Sequence, residues 1–333
     1  MSVAPVIEVL KPGLETTVQD YPGRVGVVST GYPISGPMDG WSFRIANRLV
    51  GNDASAAGLE CQFIGPTLRF HDDRVIAVCG AEMPAALDGE PFEDWTSVAV
   101  RAGQTVALGS ATRGARTYLA VSGGIDVPPF LGSRATYRLG QIGGAGGAPL
   151  GAGRHLPLGA GAGTPGRRAA ADARPCFPED GVWSVEAVPG PREDWIDEAG
   201  HARFLTSDWR VSAHSNRVGV RLEGPEWTFT RRAYDKSPEN GTHPSNIIEH
   251  GYGLGSINLC GQTPIVLGPD GLTLGGFINP YTVPTGSLWK PGQARPGDIF
   301  RFRAVSVREA QEARAALDAL CEAPDAIEEI GAG

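Results

Sequence analysis

Apolar and polar residues alternate along short runs through most of the chain, and turns rich in Gly, Pro, Asn and Asp separate these runs. A period of two residues is typical of a β-strand that buries one face, because successive side chains point to opposite sides. We therefore predict a mainly β protein with a few helices. The clearest alternating runs are residues 58–70, 73–90, 98–108, 118–121, 182–192, 209–225 and 299–303.

Two stretches carry a helical pattern instead. In the first, apolar residues recur at near-helical spacing between 43 and 50, Asp39 stands where an N-cap would, and Gly51 can end the helix. The second follows residue 305 and ends before Pro324, and an acidic tail comes after it. We predict a helix at each place, with a frayed end to the chain.

The composition changes between residues 140 and 173, where Gly and Ala dominate and no periodicity survives. We interpret this change as a partly flexible boundary between two β-rich lobes. The predicted organisation is an N-terminal lobe at 1–155, a Gly/Ala-rich linker at 156–177, a C-terminal lobe at 178–305, and a helix with its tail at 306–333.

The charge balance argues against nucleic acid as a partner. The formal net charge is −8 and the sequence pI is about 5.3. Basic residues cluster only in the short pairs Arg167-Arg168 and Arg231-Arg232, so no basic patch for phosphates is expected.

The five cysteines are odd in number, widely spaced and never form a C-x-x-C pair, so we expect neither a disulfide framework nor a zinc site of that type. No apolar run reaches the roughly 18 residues of a membrane helix, and the first residues lack the pattern of a signal peptide. The expectation is a cytoplasmic protein without a membrane segment.

Several common catalytic motifs are missing. There is no G-x-S-x-G elbow, H-E-x-x-H, G-x-x-x-x-G-K-[ST], or G-x-G-x-x-G that opens a helix. Ser122 follows a predicted strand, but a Ser-His-Asp triad would need partners that no motif identifies. The six histidines show no ligand spacing such as i, i+4, and we predict no metal site.

Residues 245–298 combine strand-like runs with many glycines and neutral polar groups. Glycine permits positive φ angles and a close approach of the backbone to a ligand. The stretch predicts a pocket built from backbone groups and polar side chains. Its recurring polar residues are Asn246, Glu249, Asn258, Gln262, Asp270 and Thr273.

A series of motifs covers nearly the whole chain. They are DYPGR (20–24), GYPISGPMD (31–39), ANRLVGN (46–52), GPTLRF (65–70), CGAEMPAALDGE (79–90), AVSGGIDVPPFLGSR (120–134), SNRVGVRLEGP (215–225), HPSN (243–246), GPDGLTLGGF (268–277) and PYTVP (280–284). These motifs resemble the carboxyltransferase region of biotin-dependent urea carboxylase. More broadly the chain resembles the bacterial family known as allophanate hydrolase subunit 2, the C-type subunit of 5-oxoprolinase, or kinase-inhibitor-associated protein. The segment PDGLTLGGF at 269–277 is closer to the urea carboxylase variant, and Asn258-Leu259-Cys260 replaces the Gln-Val-Pro usual in the 5-oxoprolinase branch.

The resemblance implies one half of a carboxyltransferase, with a cyclophilin-like β-barrel in the C-terminal lobe. The second carboxyltransferase lobe, a subunit 1 or B-type protein of the same family, would be a partner, as would a biotin carboxylase and a biotin carrier. Biotin would arrive as carboxybiotin on that separate carrier, whereas ATP and bicarbonate would be used by a partner enzyme. The acceptor would be urea or a urea-like amide.

Two other functions stay open. The chain could be the C-type subunit of an ATP-dependent 5-oxoprolinase, which acts on a cyclic amide. It could also be a non-catalytic subunit that binds a kinase-inhibitor-like partner, since a fold does not fix an activity.

Within this resemblance, we expect the site residues of the C-terminal lobe to act on neutral groups. Gly275, Gly276 and Thr273 would donate hydrogen bonds to a carbonyl oxygen. Asn246 and Asp270 would bind the NH₂ groups of urea, although Asp270-Gly271 could equally be a hairpin turn. Further binding candidates are Glu249, Asn216 and Arg217, where Arg217 either grips a ligand carboxyl group or pairs with a surface carboxylate.

The N-terminal lobe offers two loops for ligand binding. Ser35 and Asp39 precede the first helix, whose amides can attract an anion, although Asp39 can also be an ordinary N-cap. Ser122, Gly123 and Gly124 form either a ligand loop or a tight turn. A separate expectation concerns a buried carboxylate, because Glu60 lies in an apolar run and needs a partner, for which Arg44 and Arg48 are candidates.

Overall fold

Residues 6–331 are described by a computed structural model, in which β-strands predominate and form two units. The first unit comprises Met1–Val25, Ile34–Phe177 and Ala319–Gly333, and the second comprises Gly26–Pro33 and Pro178–Asp318. The main part of the second unit thus begins at the residue where the predicted C-terminal lobe begins. Two segments are exchanged between the units. Gly26–Pro33 belongs to the second unit although its sequence neighbours belong to the first, and Ala319–Gly333 belongs to the first unit although it follows the second in sequence.

The first unit is a sandwich of two antiparallel sheets. One sheet has the order β11-β1-β4-β9-β6-β7 and the other β2-β3-β10-β5-β8. Buried residues of both sheets, such as Ile7 and Leu68 of one and Leu59 and Val78 of the other, form a single apolar cluster. The strands are β1 (Val6–Lys11), β2 (Glu15–Gln19), β3 (Gly58–Gln62), β4 (Thr67–Phe70), β5 (Arg74–Glu82), β6 (Ala85–Leu87), β7 (Glu90–Phe92), β8 (Ser97–Val100), β9 (Thr105–Leu108), β10 (Arg113–Val121), β11 (His155–Pro157) and β12 (Arg167–Ala169).

The helix predicted in the first half is confirmed as α1 (Gly40–Leu49). The Asp39 carboxylate caps it by accepting hydrogen bonds from the backbone N–H groups of Trp41 and Ser42, both at 3.0 Å. The apolar face of α1 packs on β5 and β10, where the Phe43 and Tyr118 rings meet edge to face at 5.7 Å. The helix therefore covers the outer face of the five-stranded sheet.

Residues 156–177, predicted as a linker, belong to the first unit. Leu156 pairs with β1, and Ala169 and Ala173 are fully buried. Strand β12 pairs with β22 (Ile327–Glu329), so residues 327–329 of the acidic tail are paired rather than frayed, while 332–333 lie outside the described residues. Strands this short leave no periodicity in the sequence, and their pairing partners lie far away along the chain. Composition alone could not show this order.

The second unit is built on a closed barrel, which confirms the predicted β-rich C-terminal lobe. Its strand order is β13-β20-β17-β18-β15-β14-β21, and a parallel pairing of β13 with β21 closes it. The strands are β13 (Val182–Pro189), β14 (Trp209–Val211), β15 (Gly219–Glu223), β16 (Asn246–Gly251), β17 (Ser256–Cys260), β18 (Thr263–Leu267), β19 (Leu274–Phe277), β20 (Tyr281–Thr282) and β21 (Ile299–Ala304).

Aromatic rings fill the space beside the barrel strands. Phe204 is fully buried and stacks on Tyr281 and on Phe302, with ring centroids 4.4 Å apart in both pairs. Phe204 lies on α2 (Glu198–Thr206), which therefore packs against β21. Two shorter helices, α3 (Arg231–Tyr234) and α4 (Trp289–Gln293), lie in the connections.

The second predicted helix is confirmed as α5 (Val307–Glu322), and the division between the units falls within it. Its surface is mostly exposed, and only Cys321 is buried. The Arg48 side chain donates hydrogen bonds to the carbonyl oxygens of Cys321 and Ala323 at its end. Across residues 6–331, none of the helices has the length and apolar character needed to span a membrane.

Candidate functional site

A two-stranded ribbon outside the barrel sheet gathers the main predicted site residues. Strands β16 and β19 pair antiparallel, with Asn246 opposite Phe277 and His250 opposite Gly275. The register shifts between these two pairs, so 247–249 form an irregular stretch beside Gly276. We call residues 246–251 and 273–277 the ribbon. It brings together Asn246, Glu249, Thr273, Gly275 and Gly276, of which Glu249 is exposed and the others are partly exposed.

Tyr252 follows the first ribbon strand and bonds to both ends of the second ribbon segment, 273–277. We call Tyr252 the base of the ribbon, and no sequence motif predicted its role. Its N–H donates to the Thr273 carbonyl oxygen at 2.8 Å. Its hydroxyl accepts from the Phe277 N–H at 2.7 Å and donates to the Phe277 carbonyl oxygen at 3.0 Å. Burial raises the pKa of Tyr252, so the hydroxyl keeps its proton for this double contact. The only sequence signal is a tyrosine within the glycine run GYGLG at 251–255.

The two ribbon glycines make close approaches to the protein itself. A Cβ atom at Gly275 would lie 2.5 Å from the Tyr252 ring, and one at Gly276 would lie 3.0 Å from the Ile247 carbonyl oxygen. Glycine is therefore required at Gly275, because any larger residue would collide with the Tyr252 ring. The predicted role of these glycines in ligand contact stays a prediction.

Arg217 and Asp270 form a buried ion pair in the second unit. The Arg217 Nε lies 2.9 Å from Asp270 Oδ2, and Nη2 lies 3.2 Å from Oδ1. Both side chains are nearly inaccessible, at 6% and 4% exposure. The guanidinium edge that could have held a ligand carboxyl group is thus bonded to Asp270. The predicted pairing of Arg217 with a carboxylate is correct, but the pair lies in the interior and not at the surface.

The hairpin-turn interpretation of Asp270-Gly271 is only partly correct, because the turn exists but β18 before it and β19 after it belong to different sheets. The Gly271 N–H donates to the Gly268 carbonyl oxygen at 2.9 Å, which closes a tight turn. Asn216 is exposed, and its Oδ1 accepts from the Val218 N–H at 2.8 Å. Together the turns at 216–218 and 268–271 place the ion pair just before the second strand of the ribbon.

Two buried asparagines beside the ribbon carry unsatisfied oxygen atoms. Ser256 and Asn258 lie two residues apart on β17 and so share one face, and the Asn279 Nδ2 donates to the Ser256 Oγ at 3.5 Å. Asn258 Oδ1 and Asn279 Oδ1 have no hydrogen-bond partner among the residues that the structure describes. Buried carbonyl oxygens of this kind are acceptors for water or for ligand N–H groups. In the sequence, Asn258 stood out as a recurring polar residue and as part of Asn258-Leu259-Cys260, whereas Asn279 did not stand out.

Lys236 and His243 anchor the loop that leads into Asn246. The Lys236 ammonium donates to the carbonyl oxygens of His243 and Asn246, and it lies 5.6 Å from the centre of the Trp195 ring. Burial lowers the pKa of Lys236. Burial, and next the charge of Lys236, lower the pKa of His243, whose Nδ1 lies 2.8 Å from the Ser245 Oγ. These contacts fix the backbone on which Asn246 stands.

In the first unit, the loop before α1 is closed by internal hydrogen bonds. The Asp39 carboxylate occupies the first helical amides and also accepts from the Ser42 hydroxyl at 2.6 Å. The N-cap interpretation of Asp39 is therefore correct, and these amides are not open to an anion. Ser35 is buried at a φ of 53°, and its hydroxyl has no hydrogen-bond partner among the described residues.

Glu60 pairs with an arginine that the sequence did not indicate. Its carboxylate accepts from the Met38 N–H at 2.8 Å and from the Tyr118 hydroxyl at 2.9 Å, and Arg116 lies 3.6 Å away as an ion-pair partner. Of the predicted partners, Arg44 donates to the Gly40 carbonyl oxygen, and Arg48 reaches the end of α5. Arg116 lies on β10, which pairs with the strand of Glu60, so this partner is a cross-strand neighbour.

The loop of Ser122, Gly123 and Gly124 is held mainly by the chain itself. The Ser122 Oγ accepts from the Val75 N–H at 3.1 Å, and the Gly123 N–H donates to Asn52 Oδ1 at 2.8 Å. Ser122 and Gly123 line an open cavity of about 260 Å³ near the end of α1. Since α1 is ten residues long, its two ends lie about 15 Å apart, with Asp39 at one end and the cavity of this loop near the other. The first-unit candidates therefore do not form one site.

Comparisons with known proteins agree with the sequence motifs. Residues 30–304 match the sequence model of the family described as carboxyltransferase domain, subdomain A and B. The chain is 40% identical over 326 residues to urea amidolyase of Lachancea kluyveri, covering 95% of this chain and 18% of that protein. It is 34% identical over 313 residues to the C-type subunit of 5-oxoprolinase of Escherichia coli (strain K12), covering 93% of this chain and 94% of that protein.

The fold has a close counterpart among solved structures. The crystal structure of Kluyveromyces lactis urea carboxylase superposes with a TM-score of 0.91 at 37% identity, over 96% of this chain and 29% of that one. The chain thus spans less than a third of the carboxylase and amidolyase relatives that it resembles.

Proposed function

Since the chain belongs to the family of carboxyltransferase domains with subdomains A and B, we propose that it moves a carboxyl group from carboxybiotin to urea or a urea-like amide. In this proposal the chain is the carboxyltransferase component of a biotin-dependent carboxylase. Support comes from its similarity to urea amidolyase and to the structure of urea carboxylase.

The observation that carries the proposal is the composition of the ribbon and its base. The Asn246 amide, a hydroxyl group, the exposed Glu249 carboxylate and partly exposed glycine backbone meet there, next to two buried carbonyl oxygens that lack partners among the described residues. Urea presents N–H donors and a carbonyl acceptor and has no charge. Such a ligand fits acceptors like Asn258 Oδ1 and Asn279 Oδ1 without the desolvation of a charge.

We assign direct contacts to the ribbon and positioning roles to the groups beneath it. Asn246 and Glu249 would bind the acceptor amide, while Thr273, Gly275 and Gly276 would donate to the oxygen on which negative charge develops. Carboxybiotin supplies the carboxyl group and, once this is transferred, a ureido nitrogen that can accept a proton. A strongly basic side chain is then not required of this chain.

Asp270 and Arg217 act in the proposal through the backbone that they hold. The pair fixes the turn before β19, so its contribution is to keep Thr273, Gly275 and Gly276 in place. Asn216 would stabilise the turn at 216–218 through its hydrogen bond with the Val218 N–H. Ser35, Asp39, Ser122, Gly123 and Gly124 would serve the architecture of the first unit, as their internal contacts indicate.

The reaction as a whole would need partners in the cytoplasm. A second carboxyltransferase lobe would complete the site, a biotin carboxylase would consume ATP and bicarbonate, and a carrier would bring carboxybiotin. Support comes from the relative, because the region similar to this chain makes up only 18% of a urea amidolyase.

The test is incorporation of labelled bicarbonate into urea by the chain with its partner lobe, biotin carboxylase, biotinylated carrier and ATP. We expect incorporation that needs every component, and a loss of about 10²-fold in Asn246→Ala, the effect of removing one well-placed hydrogen-bonding group. Gln311→Ala is the matched control, because this amide side chain is exposed on α5.

Other outcomes would contradict the proposal. Cleavage of 5-oxoproline that requires ATP, without carboxylation of urea, would assign the chain to a 5-oxoprolinase. Tight binding of a kinase-inhibitor-like partner with no turnover of either compound would identify a non-catalytic subunit.

A further inference from the structure

Three side chains with metal-binding atoms meet on the six-stranded sheet of the first unit. One ligand atom each from Glu8, His71 and His155 can be chosen so that all lie within 4.8 Å of one another. The three residues are far apart in sequence and belong to no motif. None of them has a role in the proposed carboxyl transfer.

The register of the sheet explains why they meet. Glu8 on β1 stands directly opposite His155 on β11 and opposite Arg69 on β4. His71 lies two residues beyond Arg69, and its N–H donates to the Val6 carbonyl oxygen at 3.1 Å, so the pairing of the strands continues to it. With a period of two, Glu8, His71 and His155 lie on the same face of three adjacent strands.

We propose that Glu8, His71 and His155 bind a divalent transition-metal ion such as Zn²⁺. The His71 Nε2 lies 3.4 Å from the Glu8 Oε2. Two ligands of a tetrahedral zinc ion, each about 2.1 Å from the metal, are separated by roughly 3.4 Å. Two imidazoles and a carboxylate suit zinc and leave a position for water or a further ligand.

Accessibility allows the site to form without repacking the core. His71 and His155 are exposed and Glu8 is partly exposed, so their side chains can turn toward a common ion. The backbones that carry them are fixed by strand pairing on both sides of Glu8. The ion would therefore tie β11, and with it the Gly- and Ala-rich segment, to the centre of the sheet.

Arg69 is the competing cation. Its Nη1 lies 3.5 Å from the same Glu8 Oε2 that His71 approaches. A bound metal must displace this guanidinium, which is half exposed and can move into solvent. The position of Arg69 therefore allows a specific test. Removing the arginine charge should strengthen metal binding at this site, whereas it should not change the binding of metal to an unrelated surface histidine.

The experiment is a calorimetric titration of the whole chain, freed of metal by a chelator, with ZnCl₂. We expect a single site whose affinity falls roughly tenfold or more in His71→Ala, His155→Ala and Glu8→Gln, since even the loss of an outer-shell group has that effect. Affinity should rise in Arg69→Gln. His214→Ala is the matched control, because His214 is an exposed histidine of the second unit, and its affinity should equal that of the wild type.

A second readout tests the ligand set directly. Co²⁺ in place of Zn²⁺ should give visible absorption typical of a low coordination number, and this absorption should disappear in His71→Ala. Absence of saturable binding, or binding that survives His71→Ala and His155→Ala unchanged, would overturn the proposal. So would equal losses in His214→Ala. None of these outcomes depends on carboxyl transfer.

Discussion

Each unit contains a Gly-Pro turn with an aspartate and a Gly-Gly pair, yet the two units use them differently. In the first unit, Asp39 is satisfied by backbone amides of its own helix, and Gly123 is enclosed by other backbone. In the second unit, Asp270 is satisfied by an arginine 53 positions away, and Gly275 lies in a partly exposed ribbon. Similar local sequences thus make a structural loop in one unit and a candidate site in the other.

The difference lies in where the partners come from. A cap of the Asp39 type forms between residues two or three apart and can be predicted from the sequence. An ion pair of the Asp270 type exists only after β15 and β18 have paired and brought two turns together. The predicted site residues of the second unit therefore depend on long-range structure, and substitutions can test that dependence.

The largest effect is expected for the two aspartates. Asp270→Ala leaves the Arg217 guanidinium buried without its carboxylate, which should lower the free energy of unfolding by about 3–5 kcal/mol. Asp39→Ala removes an N-cap and should cost about 1–2 kcal/mol. Urea denaturation of both variants measures the difference. Equal losses would remove the distinction between a local and a long-range partner.

The two Gly-Gly pairs should differ by a smaller amount. A Cβ at Gly123 would lie 2.3 Å from the Gly159 carbonyl oxygen at a φ of 88°, so Gly123→Ala should lose about 3 kcal/mol of stability. Gly276→Ala, with a closest contact of 3.0 Å, should lose about 1 kcal/mol but impair carboxylation of urea. Thermal unfolding measures the loss of stability in both variants, and the carboxylation assay measures the activity of Gly276→Ala. A Gly276→Ala variant with full activity would show that this glycine only shapes the ribbon.

Tyr252→Phe sharpens the role of the ribbon base. The change removes the hydroxyl that bonds to both backbone groups of Phe277 and leaves the ring against Gly275. We expect a loss of about 1–2 kcal/mol, the usual result when buried groups lose a partner. Faster hydrogen exchange confined to 273–277 would confirm the local effect. An unchanged exchange rate there would contradict it.

The smallest effect is a dependence of stability on pH. Burial lowers the pKa of His243 below 6.5. As the pH falls, the imidazole is therefore protonated in the unfolded chain at a higher pH than in the folded protein. Stability contributed at this position is therefore complete above pH 6.5 and declines as the pH falls toward the lowered pKa. His243→Gln should reduce that slope in denaturation curves measured at several pH values. A steeper dependence of stability on pH in the variant would contradict a lowered pKa of His243.

The first helix shows what local sequence can predict. Asp39, the apolar spacing from Phe43 to Val50 and Gly51 are close neighbours, and they set α1 within a residue of its predicted bounds. The partner of Glu60 shows the limit. A carboxylate in an apolar run clearly needed a cation, but only the pairing of β3 with β10 identified Arg116.

The pairing of residues 156–177 could not be predicted, for a related reason. Gly and Ala carry almost no hydrophobic pattern, so short strands made from them look like a flexible connection. Their order comes from distant partners, namely β1 for Leu156 and β22 for Ala169.

By itself, the sequence determined the β-rich class, the helix next to Asp39 and the family motifs, because each depends on residues near one another along the chain. Tertiary structure alone decided that Arg217 meets Asp270, that Tyr252 supports the ribbon, and that Glu8, His71 and His155 share one face. The physical reason is that strand pairing joins residues far apart in sequence, and no local pattern specifies which strands will be neighbours.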